Sequence, residues 1–146
     1  MFGDLLKTLL DPAPTRLPEP DARLALAALL VRVARSDGDY AEVEIARIDK
    51  VLARQYGIGP FEAAKLRRDA EELESQAPDT VRFTRAIKDA VAYEDRQSVM
   101  EQLWEVVLAD GARDDEEDSL LRMVANFLGV NDRDSALARQ RVERRL

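Results

Sequence analysis

A chain of 146 residues is the length of one domain, and such a domain buries about 70% of its unfolded surface, enough for an ordinary hydrophobic core. It has no Cys and no His, which excludes disulfides, thiol nucleophiles, Ser-His-Asp triads and most zinc or iron centres. The net charge of −7 disfavours nucleic acid as a partner, and any metal must be held by oxygen, which selects hard cations such as calcium, magnesium or manganese.

Residues 2–10 carry Phe2, Leu5, Leu6, Leu9 and Leu10 at helical spacing and predict a short amphipathic helix. Docking on the domain's own core is the simplest use of that stripe. A dimer contact and a membrane-surface contact are the alternatives, the latter weakened by a polar face poor in Lys and Arg. Asp4 and the lack of a basic start argue against a signal peptide. Residues 11–20 include Pro12, Pro14, Pro18 and Pro20 and read as a linker, so the chain divides at 1–20 and 21–146.

A helix from Asp21 to about Ser36 is apolar nearly all round and is expected at the centre. Its richest run, 24–34, contains Arg32 and is too short to span a membrane. Asp37-Gly38 ends it. The next helix, 42–56, turns Ile48, Val51 and Leu52 inward and stops at Gly57, where positive φ is cheap. Pro60 opens a helix over 60–75, Pro78-Asp79 another, and Asp95 a third carrying Trp104, which ends at Asp110-Gly111. A helix over 115–128 stops at Gly129, and Asp132 or Asp134 opens the last. With no period-2 alternation, the expected fold is all-α, with seven or eight helices.

Two stretches repeat. Asp37-Gly38 is followed by Glu44, Ile48, Val51 and Gly57-Ile58; Asp110-Gly111 is followed by Glu117, Leu121, Val124 and Gly129-Val130. Asp to Glu is seven residues in both, which points to two pseudo-repeated helix–loop–helix halves. An aspartate just past a helix C-terminus adds negative charge where free carbonyls already carry it. A local Asx-turn is one resolution. A bound cation that takes carboxylate and carbonyls together is the other, with Asp37, Asp39, Glu44, Asp110, Asp114 and Glu117 as the candidate ligands. Asp114-x-x-Glu117 also fits a capping box without metal, whereas Ala41, three before Glu44, has no side chain that caps. The immediate Asp-Gly order is not that of an EF-hand loop. Arg139, Arg141, Arg144 and Arg145 make a basic end, suited to a helix C-terminus or to an acidic patch on a partner or second subunit. Trp104 is expected in the core. No glycine-rich phosphate loop or catalytic constellation stands out, so a non-enzymatic, cytoplasmic module is expected.

The pattern Leu-Leu-Val-Arg-Val-Ala-Arg-Ser-Asp37-Gly38, with Glu42, Glu44, Ile48 and Gly57-Ile58, resembles the tellurite-resistance TerB-like family. Its second copy, Ala109-Asp110-Gly111 with Glu116-Glu117, Leu121 and Leu128-Gly129-Val130, does so too, and the resemblance covers about 22–140. It implies a compact all-α fold with clustered acidic loops. It also implies a divalent-metal role in tellurite resistance or related stress responses, with protein partners in membrane-associated complexes. Carried over, the ligand positions are Asp37, Glu44, Asp110 and Glu117, with Asp39 and Asp114 beside them. Ala41 departs from the polar residue expected at that helix start. The alternative is a protein-interaction scaffold, homodimeric or with other chains, whose acidic loops are only helix caps.

Overall fold

The computed structural model describes residues 3–10, 19–36, 40–108 and 115–145, without the side chains of Glu19 and of 115–118. The described residues form eight α-helices and no strand: α1 (Gly3–Leu9), α2 (Glu19–Arg35), α3 (Glu42–Tyr56), α4 (Pro60–Gln76), α5 (Thr80–Ala90), α6 (Tyr93–Val107), α7 (Asp115–Phe127) and α8 (Asp132–Arg145).

The sequence pattern puts α2 at the centre, and it is there. Every residue from Ala25 to Val31 is at most 4% exposed, and α2 packs on α3, α4, α5 and α6. α6 is the second axis, bearing on α2, α3, α7 and α8. Beside them run two flanking helices. α4 meets the end of α2 at the Arg32–Glu74 ion pair. α8 follows α6, from Asp134 beside Tyr93 to Arg145 beside Glu101. The N-terminal helix docks on α5 and buries Leu6 and Leu9, so its apolar stripe serves the domain's own core.

Two helix starts, those of α2 and α6, differ from the sequence expectation, while α8 starts at Asp132 as expected and differs in its cap. α2 begins at Glu19 rather than Asp21, because Pro20 sits in the first turn, where its missing N–H is not needed. α6 begins at Tyr93, with Ala92 as N-cap, rather than at Asp95. Ahead of α8 the capping side chain is that of Asn131, whose Oδ1 accepts from Asp134 N–H at 2.8 Å. Asp79 caps α5 as its position suggests, accepting from Arg82 N–H at 3.0 Å.

The two stop glycines behave alike. Gly57 (φ +62°) and Gly129 (φ +72°) take the left-handed conformation. In each case the next residue's N–H reaches back five positions, Ile58 to Ala53 O at 3.1 Å and Val130 to Ala125 O at 2.9 Å. Both are therefore Schellman-type ends, needed because a residue with a Cβ resists that φ.

Candidate functional site

Of the six candidate ligands, Asp37, Asp39, Asp110 and Asp114 lie outside the described residues, as does the side chain of Glu117. Glu44 is placed. It stands half-buried in the first turn of α3, its N–H donating to Ala41 O at 3.0 Å. Ala41 is the N-cap and contributes no side-chain hydrogen bond, so Ala41 and Glu44 do not form a reciprocal capping box. Among the described residues, no group of three or more acidic side chains is placed to hold a metal. The six candidates supply carboxylate oxygen only, a donor chemistry that fits a hard cation.

The ground on which the first Asp-Gly loop stands is well defined. Arg32, near the end of α2, donates from Nε to Glu74 Oε1 at 2.6 Å and from Nη1 to Pro78 O at 2.9 Å and Thr80 Oγ1 at 3.3 Å. Its Nη2 reaches Glu74 O and Ala77 O at 3.2 and 3.4 Å. One guanidinium thus closes the C-terminal carbonyls of α4 and fixes the turn into α5. Arg35, one turn on, shares the same buried carboxylate at 2.8 Å and lies over the Tyr40 ring at 4.9 Å. It spans the two flanks of the loop, the end of α2 and the start of α3.

Behind Tyr40 a second set of charges ties α3 to α4. Arg67 donates to Asp49 at 2.7 Å and to Glu71 at 3.2 Å. The Asp49 hydrogen bond, above all, holds the Arg67 guanidinium charged. The Tyr40 hydroxyl is buried without a hydrogen bond of regular geometry. Burial first, and then the neighbouring Glu71 carboxylate, push this phenol well above its ordinary range.

No pairing for these residues is legible in the sequence. The available signal was Arg32 itself, the one charge inside the apolar run 24–34 of α2. Such a group requires a buried partner.

The basic C-terminal end is also accounted for. Arg145 reaches Glu101 at 3.0 Å and the buried Glu105 at 3.2 Å, and Arg54 of α3 pairs with the same Glu105. Arg141 faces Glu101 at 3.5 Å. Arg139 lies over the Trp104 ring at 5.7 Å. The acidic patch that Arg141 and Arg145 meet is therefore on their own chain, on α6. Trp104 is in the core, 5% exposed, its Nε1 donating to Ser135 Oγ at 3.3 Å.

No helix among the described residues is long and apolar enough to cross a membrane. A family model described as tellurite resistance protein TerB matches residues 23–140, a span that contains both Asp-Gly pairs with Glu44 and Glu117. No curated protein and no solved structure matches the chain.

Proposed function

Because the chain belongs to the tellurite resistance protein TerB family, we propose that it is a non-enzymatic stress-response module that binds a divalent cation through its two acidic loops. The observation that carries this reading is the family match over 23–140, which takes in Asp37, Glu44, Asp110 and Glu117 in one domain. Calcium, magnesium and manganese are the cations of choice, because every candidate donor is a carboxylate oxygen. A chain with no His and no Cys has few groups for acid–base or nucleophilic work at neutral pH, which favours binding over catalysis. The absence of cysteine also suits the cytoplasm.

Calorimetric titration of the chelator-treated protein with each cation tests the reading. Saturable heat, with a rise in melting temperature at millimolar cation, is expected. At a free concentration near 100 times Kd, the stabilisation is about 2.7 kcal/mol. No heat and an unchanged melting temperature with all three cations overturn it.

A second reading, a protein-interaction scaffold, is favoured by Phe61 and Val43, which are 78% and 61% exposed at the starts of α4 and α3. Partner capture that survives charge reversal at Asp110 and Glu117, in a protein that binds no cation, selects it.

A further inference from the structure

Away from the acidic loops, the N-terminal halves of α2 and α6 enclose a cleft of about 470 Å³, closed on one side by the end of α3 and on another by the α5–α6 turn. That volume lies within the range of small-molecule sites, about 300–1,000 Å³. Its apolar wall includes Leu26, Tyr56 and Val91. Its rim carries one charge of each sign, Arg23 and Asp95, with the Arg23 guanidinium 4.4 Å over the Tyr56 ring.

Gln102 lines the same cleft. It is 3% exposed, and its Oε1 makes no hydrogen bond. A buried amide oxygen without a donor is unfavourable, and such groups in folded proteins call for a specific explanation. The terminal torsion of a glutamine is soft, so the amide is free to offer this oxygen to a donor in the cleft that Gln102 lines.

We propose that the cleft binds a small neutral molecule with an apolar body and one N–H or O–H donor, which Gln102 Oε1 accepts. Neutrality follows from the rim, where opposite charges give neither an anion nor a cation an advantage. The apolar body follows from the wall, where Leu26, Val91, Ala22 and Ala90 stand beside a Tyr56 ring already covered by Arg23.

Indole and 1-methylindole are the probes, because they share a body and differ in the N–H. Titration of the full 15N-labelled chain with each is followed at the Gln102 side-chain amide and at the backbone of residues 90–92. Indole is expected to give saturable shifts there, and 1-methylindole to bind at least about tenfold more weakly, since a site built around a hydrogen bond rejects the analogue that lacks it. Gln102→Leu should abolish that discrimination, and Ala22→Phe, which fills the cleft, should abolish both titrations. Equal affinity for the two probes in the unmodified protein overturns the proposal. So does the absence of saturable shifts, or a long-lived water on Gln102 that indole fails to displace. The comparison of probes in the unmodified protein decides the matter even if a variant does not fold.

Discussion

Replacing Arg32 by methionine removes the group that joins α2 to the α4–α5 turn while keeping most of its volume. Five acceptors lose their donor: the Glu74 carboxylate, the carbonyls of Glu74, Ala77 and Pro78, and the Thr80 hydroxyl. The side chain is 16% exposed and that of Glu74 10%, so water does not replace these bonds freely. Breaking a buried pair from one side costs about 3–5 kcal/mol. Arg35 still meets Glu74 at 2.8 Å, which spares the carboxylate complete isolation and lowers the expected loss to about 2–4 kcal/mol. Urea unfolding followed by the fluorescence of Trp104, the single tryptophan, measures it. Arg32→Lys should recover less than half of the loss, because a point charge does not reproduce a fork that serves one carboxylate and three carbonyls. Adding Glu74→Met to Arg32→Met should cost less than the sum of the two single changes by about 1 kcal/mol or more. A loss below about 0.5 kcal/mol for Arg32→Met would refute the reasoning, since that is the size of an ordinary surface substitution.

Three further outcomes follow from the same geometry. Gly57→Ala and Gly129→Ala both force a left-handed alanine, but only at Gly129 does the added Cβ meet side chains, Lys88 Cε at 2.9 Å and Arg96 Nη1 at 3.0 Å. Lys88 swings aside, whereas Arg96 is held by the carbonyl of Leu128, so the expected losses in urea are about 1 kcal/mol at Gly57 and about 2–3 kcal/mol at Gly129. Equal losses would show that Arg96 is not held. The Tyr40 phenol, raised in the folded protein, keeps its contribution below its ordinary value of 10.0 and loses it as pH rises further, because the unfolded chain gives up the proton first. Melting temperatures of the unmodified protein and Tyr40→Phe should therefore diverge above about pH 10, with the variant falling less steeply. Parallel curves to pH 11 would sink this. Glu105→Ala, which strips a buried carboxylate from Arg54 and Arg145, should cost about 3–5 kcal/mol, while Arg145→Ala, on a side chain 46% exposed, should cost below about 1 kcal/mol in the same assay.

The helices were legible in the sequence because periodicity and stop signals agree. Gly57 and Gly129 mark ends that no other residue takes easily, and the all-round apolar run of α2 admits no position but the centre. Two helix starts were misplaced, each for its own reason. Proline was read as a breaker at Pro20, where the first turn tolerates it, and an acid was read as the cap at Asp95, where the backbone of Ala92 already serves. The ion pairs were not legible. Arg32 and Glu74 are 42 residues apart, and nothing in either's neighbourhood names the other. The same holds for Arg141 and Arg145, read as suited to a helix C-terminus or to an acidic patch on a partner, which pair with Glu101 of α6.

The ends of the two helices that lead into the acidic loops are not equivalent, and this ranks the loops. α2 carries Arg32 and Arg35 in its last turn, cations that already offset the negative end of the helix. α6 has no basic residue in its last turn. One carboxylate, Glu74, answers the two arginines of α2, so the end of that helix keeps a net positive charge. On the proposed cation-binding reading, the second loop should therefore carry more of the affinity, contrary to what the missing cap at Ala41 alone suggests. Helix-end charges differ in effect by about 0.3–1 kcal/mol, so Asp110→Asn should weaken calcium binding about two- to fivefold more than Asp37→Asn. Calorimetric titration of the two variants side by side measures the ratio. A larger loss at Asp37 would mean that the arginines of α2, fully engaged by Glu74 and Tyr40, exert no field at the loop, and that the missing cap is the better guide to the cation.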